Sequence, residues 1–539
     1  MVSIPIIPLP KHCLIEAGTY VLTSKGEITF DDGGEFTADF LASLTGLHKG
    51  CNADIRIAFD DTIAEEEGYC LAIGPLGIRI TGKKPIGLLY GAESLRQLLE
   101  PQIEATGFIE EVTLPFLYIE DAPHFSYRGF MLDVSRHFFP VAIIIRLLDY
   151  MVMLKLNRFH WHLSDSQGWR VEIEKYPKLT EAGSKREGTL VYGWLWGKKY
   201  VSDQVYEGYY TKDQIREVVA YAKARGIEVI PEIDLPGHVT AMLASYPELS
   251  CTGRQLKPET GAKREKDLIC AGKESSYSII FDIFDELIPL FPYNHIHIGG
   301  DEANKFYWKK CPQCQAKIKE NNLKNEKELQ GYLMNRISAH LKSRGCTVIG
   351  WNDGLTSITD PEMTCQYWFF GNKKEMVKQV NSGRKVIYSN ILGYYLDYSY
   401  KVFGLKNSYE CGGGEKEFDK AGQKNVIGVE TALWCEAVYN QDRIDWQMFP
   451  RILAIAESAW TESEQRHYED FLKRLFLFEK RLDVMGVHHA VQPCYLKKQK
   501  TSFLLSLLHM IAPGEHPAMK EYRKYNEVIG YNKTDGKPF

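Results

Sequence analysis

The chain has almost no surplus of either charge. Its 65 Lys and Arg against 70 Asp and Glu leave a formal net charge of -5, with no basic stripe to follow a nucleic acid backbone. It lacks an apolar run long enough to cross a bilayer, so no membrane span is expected. The opening "MVSIPIIPLPKH" has neither a basic n-region nor a long h-region. A cytoplasmic location is therefore expected, with secretion or a periplasmic site the alternative if a leader has been trimmed away. No internal repeat or low-complexity tract interrupts the 539 residues. The 12 cysteines are scattered rather than framed, which argues against a disulfide scaffold. Cys251 and Cys270 flank one loop and could bridge in an exported protein. Cys311 and Cys314 form CPQC, which offers only two of the four thiolates of a structural zinc site.

What is present reads as an ordinary globular protein, 44% hydrophobic and 25% charged. Residues 1–122 alternate like sheet strands in "IRIAFDD", "EGYCLAIG" and "GIRITGKK". An amphipathic helix, "PIGLLYGAESLRQLLE", follows. This is an α+β pattern. The polar, Pro-containing "EDAPHFSYRG" marks a domain boundary, and from 123 to 485 strands and helices alternate. The expected strands are 129–134, 158–163, 227–233, 295–299, 347–351, 364–368, 385–389 and 426–434. Helical segments such as "TKDQIREVVAYAKARG" and "EKELQGYLMNRISAHLKSRG" stop at Gly. Eight such units predict a (β/α)8 TIM barrel preceded by a smaller α+β domain, with a doubly wound open sheet as the structural rival. Residues 486–539 read as a helical tail without assignable chemistry.

Active residues of such a barrel gather at the C-terminal ends of its strands. Those ends carry Asp133 and Arg136, His162 and Asp165, Glu232, Asp234 and His238, then Asp301 and Glu302. Trp351 and Asp353, Trp368, Tyr395 and Asp397, and finally Trp434 and Glu436 complete the series. Carboxylates and large aromatics at one rim suit a sugar, whose ring face stacks on aromatics and whose hydroxyls bond to carboxylates and Arg. The stretch "HIHIGGDEANKFYW" sets two carboxylates, Asp301 and Glu302, side by side after Gly-Gly. Neighbours on a strand point to opposite faces, so they are poorly placed to form the opposed pair of an ordinary glycosidase. They can work on one side of a substrate only if the strand has already broken at Gly299-Gly300.

"HIGGDE" resembles the signature of the family 20 glycoside hydrolases, the β-N-acetylhexosaminidases. "RGFMLDVSRHFFP", "NRFHWHLSDSQGWR", "VIPEIDLPGH", "IGWND", "YYLD" and "LWCE" resemble further blocks of that family, in family order, over roughly residues 1–460. The resemblance implies substrate-assisted, retaining hydrolysis of terminal non-reducing β-linked GlcNAc or GalNAc. The 2-acetamido carbonyl attacks C1 and forms an oxazolinium intermediate. It casts Glu302 as general acid/base, Asp301 as the partner of the acetamido N–H and of the developing charge, and Tyr395 as the hydroxyl that orients the carbonyl. Asp234 and His238 are cast as a dyad beside the acid/base. Arg136, Asp165, Asp397 and Glu436 would hold hydroxyls, and Trp351, Trp368 and Trp434 would wall the sugar. No cofactor or catalytic metal is implied, and the partner is a glycan rather than a nucleic acid or a membrane; oligomeric state is left open.

The chain departs from the family pattern at Ser166, where a second acidic residue is common, and at Cys435, where Thr or Ser is common. The stretch between Tyr400 and Gln423 departs as well and could shape a further subsite. Two other classes compete. A metal hydrolase could use the pairs His160/His162 and His295/His297 together with His238; the bland alternative is that these histidines orient carboxylates. A non-catalytic sugar-binding barrel should have lost Asp301 or Glu302, and both are present.

Overall fold

The computed structural model describes residues 4–192, 200–201, 204–261, 266–368, 372–496 and 517–528. The first domain is a seven-stranded sheet. Its order is His12–Thr23, Glu111–Asp121, Tyr69–Gly74, Gly77–Gly82, Ile55–Phe59, Glu27–Phe30 and His48–Lys49. Tyr69–Gly74 alternates buried and half-buried positions, as its sequence does. Helices Glu35–Thr45 and Pro85–Leu98 pack against one another, and the second also touches helix Val141–Met153 of the next domain.

Eight parallel strands then close into a barrel, and the open-sheet rival falls away. In chain order they are Tyr127–Asp133, Arg158–His162, Glu228–Glu232, His295–His297, Thr347–Trp351, Thr364–Tyr367, Val386–Tyr388 and Val426–Leu433. The last pairs with the first, Leu433 beside Leu132. All eight lie where the sequence predicts them. The fourth is shorter than expected because Gly299 (φ 66°) and Gly300 (φ 118°) turn into the left-handed region and end the ladder after His297.

Low in the barrel an apolar layer of Tyr127, Ile230, Ile349 and Ile387 is packed and buried. Above it lies a polar layer. Glu232 meets His160 at 3.0 Å, His162 at 2.5 Å and His297 at 2.9 Å, and it accepts from the Trp351 indole at 2.8 Å. Glu430 accepts from Gln366 and the Tyr127 hydroxyl and lies 2.8 Å from His160. The two carboxylates of this layer, Glu232 and Glu430, are each met by several buried partners, which offsets the cost of placing them in a core.

The two domains are locked by buried polar contacts. Asp121 accepts from Tyr69 (2.6 Å) and from the Trp460 indole (2.9 Å), and it faces Lys155 at 3.6 Å. Arg128 pairs with Glu67 at 2.6 Å. Helix Pro517–Val528 of the tail lies on the barrel, its Glu521 accepting the Tyr400 amide at 2.7 Å. The part of the tail spanning 497–516 falls outside the described residues. No helix among the described residues is long and apolar enough to cross a membrane.

Candidate active site

The break at Gly299-Gly300 does what the adjacent carboxylates require. A side chain at Gly299 would strike Asp234, whose Oδ1 lies 1.8 Å from where the Cβ would stand. Glycine there lets Asp234 accept the Gly300 amide at 3.1 Å, which fixes the exit from the strand. Glu302 then takes a left-handed φ of 45°, a conformation that costs a non-glycine residue free energy and is concentrated at functional sites. As a result Asp301 and Glu302 both face His238, each with an oxygen 3.5 Å from its Nε2. Asp301 is buried, while Glu302 is more open, with 28% of its side chain exposed. The Glu302 amide donates to Asp353 at 2.7 Å, and the Trp368 indole donates to the other oxygen of Asp353 at 3.0 Å.

His238 is also strained, with φ 55°. Its Nδ1 lies 3.1 Å from Asp165, and the other Asp165 oxygen lies 2.7 Å from Arg136 and 3.2 Å from His162. The sequence reading paired His238 with Asp234. Asp165 instead takes the imidazole Nδ1, while Asp234 accepts the Gly300 amide through its Oδ1. Asp234 stands within 4.8 Å of His238 and Asp301, beside the relay. Arg136 is further held by Asp133 at 3.1 Å and Gln167 at 3.0 Å, lies over the Trp434 ring at 5.0 Å, and reaches Glu436 at 3.9 Å.

The aromatics form a continuous wall. Trp351 and Trp434 are 5.9 Å apart between centroids, Trp434 and Tyr395 6.3 Å, and Tyr395 and Trp368 6.4 Å and stacked. Trp351 is 1% exposed, and its indole donates to Glu232. Val402 and Phe403, at the start of the atypical 400–423 stretch, pack with Tyr395, Trp368 and Trp434. Cys435 turns away into the core, its thiol against the Leu433 carbonyl.

Electrostatics follow from burial. It raises Asp301 above its ordinary value, the His238 cation opposes the rise, and Glu302 adds to it. Burial and then Asp301 push Asp353 up to about 7. Burial opposes charge on His238, yet Asp165 and Asp301 hold its pKa well above the usual histidine range. Burial and Glu436 raise Asp397. Three buried acceptors at the site, Asp234 Oδ2, Asp301 Oδ1 and Asp397 Oδ1, meet no donor among the described residues. Buried acceptors are rarely left so, and a substrate at this rim would bring N–H and O–H groups.

Comparison with known proteins agrees with this geometry. Residues 3–122 match the model of "Glycosyl hydrolase family 20, domain 2", and residues 125–463 that of "Glycosyl hydrolase family 20, catalytic domain". The chain belongs to glycoside hydrolase family 20. It is a glycoside hydrolase of the β-N-acetylhexosaminidase class, whose reaction is hydrolysis of a terminal N-acetylhexosamine with the substrate's acetamido group as nucleophile. A β-hexosaminidase of Porphyromonas gingivalis is 39% identical over 79% of this chain, and the chain spans 55% of that relative. The Vibrio harveyi family 20 exo-β-N-acetylglucosaminidase, solved with N-acetylglucosamine, is 28% identical with a TM-score of 0.80, covering 93% of this chain and 79% of its own. The Streptomyces plicatus enzyme with Thio-NAglucal is 31% identical with a TM-score of 0.79, over 92% and 97% of the two chains.

For a member of family 20 the barrel histidines have the bland role. His160, His162 and His297 converge on Glu232, and His238 serves Asp165, Asp301 and Glu302. Sequence reasoning gave no role to Glu430 or Gln167. Glu430 hides in the apolar run "VIGVETALW"; Gln167, two residues after Asp165, had a signal in its spacing.

Proposed function

We propose that the chain removes terminal non-reducing β-linked N-acetylhexosamine, GlcNAc or GalNAc, from oligosaccharides or glycoconjugates with net retention, and that the rim residues divide the work as follows. Asp301 Oδ1 accepts the acetamido N–H, and its negative charge stabilises the oxazolinium that forms when the acetamido oxygen attacks C1. Tyr395 donates to that oxygen and aims it. Glu302 protonates the departing glycosidic oxygen and then deprotonates the water that opens the ring. His238, fixed by Asp165, holds both carboxylates in place and balances their charge. Arg136, Asp165, Asp397 and Glu436 hold the hydroxyls of the terminal sugar, while Trp351, Trp368 and Trp434 enclose its ring and methyl group.

The observation that carries this reading is the buried, partnerless Oδ1 of Asp301 beside a solvent-facing Glu302, with one imidazole touching both. A single side of the substrate is served by two carboxylates of different exposure, which suits a nucleophile supplied by the sugar. The test compares an aryl N-acetyl-β-glucosaminide with the aryl β-glucoside that lacks the acetamido group. Turnover should be confined to the first, and a thiazoline mimic of the intermediate should compete strongly. Equal turnover of both substrates would overturn the mechanism. A panel of defined β-linked GlcNAc, GalNAc and disaccharide substrates, scored by released product, would then identify the glycan.

A further inference from the structure

Four cysteines from three separate segments meet in one place. Cys251 and Cys270 belong to the loop after the third barrel strand, and Cys311 and Cys314 to the loop after the fourth. Their sulfurs all lie within 4.8 Å of one another. Three separations are 3.7 Å (Cys251–Cys314), 3.7 Å (Cys270–Cys311) and 3.6 Å (Cys270–Cys314). A tetrahedron of thiolates about 2.3 Å from a central zinc has edges of about 3.8 Å. A disulfide needs about 2.05 Å, and all four thiols are free. The distances also single out no pairing: Cys270 is as near to Cys311 as to Cys314, and Cys314 as near to Cys251 as to Cys270.

The surroundings suit a doubly negative ZnS4 centre. Cys311 is the N-cap of the nine-residue helix Pro312–Glu320, and Cys314 lies in its first turn, where amide groups and the helix dipole favour thiolates. Gly272 has no room for a side chain: its Cβ would stand 2.3 Å from the Gln313 carbonyl carbon and 2.5 Å from the Cys314 nitrogen. The two ligand-bearing segments are thus pressed together backbone to backbone. Cys270, Cys311 and Cys314 are buried and Cys251 is half-buried, so the centre is closed to substrate, as structural zinc sites are.

We propose that Cys251, Cys270, Cys311 and Cys314 bind one structural zinc ion, which staples the loops that carry His238 and Glu302. Binding displaces four thiol protons and forms four Zn–S bonds, with no change in oxidation state. The staple is short at both ends. The Trp308 indole, six residues beyond Glu302, donates to the Ile269 carbonyl at 3.0 Å. The Ile269 amide donates to the Pro236 carbonyl at 3.2 Å, two residues before His238.

The test uses the full chain purified without chelators. Elemental analysis should give about one zinc per chain. The ion should be released by a mercurial thiol reagent and lost from Cys251→Ser and Cys314→Ser. Growth with cobalt should give the intense thiolate-to-metal absorption of a tetrahedral sulfur site, a readout that needs no variant. Stripping the zinc should lower the thermal midpoint before it lowers turnover. Metal-free protein with four reactive thiols, a native mass showing two disulfides, or iron in place of zinc would each overturn the proposal.

Discussion

The backbone amide of Glu302 donates to Asp353 at 2.7 Å, so this strained residue, the acid/base we propose, is held from the neighbouring strand end. The carboxyl that does the holding titrates abnormally, pushed up to about 7 by burial and then by Asp301. Between its ordinary value of 3.8 and about 7 the folded protein keeps a proton that the unfolded chain has released. Stability from this group is therefore full at low pH and is lost as pH rises through that window. Asp353→Asn should flatten the fall in denaturant stability between about pH 4 and about 7. An unchanged pH–stability slope would show that the group is not protonated in the folded state.

His238 couples Asp165 to the working pair. Burial raises Asp301, and the His238 cation is the main force pulling it down. With His238→Gln that cation disappears, the Asp301 carboxyl climbs, and the acid limb of kcat/KM should move to higher pH. A uniform loss of rate with the limb unmoved would mean that the imidazole acts only as a spacer.

Arg136 is gripped by Asp133 and Asp165 and covers Trp434. Its planar fork cannot be reproduced by an ammonium. Arg136→Lys should keep the fold and lose about tenfold to a hundredfold in kcat/KM, the scale of one or two lost bonds to charged partners. Arg136→Ala leaves buried carboxylates without a counter-charge and should destabilise by ~3–5 kcal/mol. Chemical denaturation of the two variants separates the effects.

Much of this was legible in the sequence because the physics was local. The barrel strands are short apolar runs flanked by Gly and polar turns, and the Gly299-Gly300 break follows from two glycines before two carboxylates. The rim residues announce themselves by position at strand ends. What was not legible depends on side chains meeting across distant segments. Asp165 and His238 are 73 residues apart, and nothing near either reveals that Asp165, not Asp234, takes the imidazole. Glu430 looks like an interruption of an apolar strand until His160 and Tyr127 are seen to satisfy it. The CPQC pair offered two thiolates, and only the fold brings Cys251 and Cys270 to the same point.

Asp301 and Glu302 are neighbours on one imidazole, and their separate duties can be told apart by what leaves the sugar. As general acid, Glu302 protonates the glycosidic oxygen, so its worth grows with the basicity of the leaving group. A sugar alkoxide leaves badly, whereas a phenolate with several electron-withdrawing groups leaves well. Glu302→Gln should therefore cripple hydrolysis of oligosaccharides yet spare formation of the intermediate from an activated aryl substrate. The gap between the two should be about 10²–10⁴-fold, the range of general acid–base assistance. Asp301→Asn keeps the shape but removes charge opposite the oxazolinium. It should lower kcat by about 10²–10³-fold whatever departs, as when one electrostatic stabiliser of a transition state is lost. The measurement is kcat/KM for both variants over aryl substrates of graded acidity. A steeper dependence for Glu302→Gln than for Asp301→Asn assigns the proton to Glu302 and the charge to Asp301. Parallel lines would mean that the exposed carboxylate and the buried one have been given each other's work.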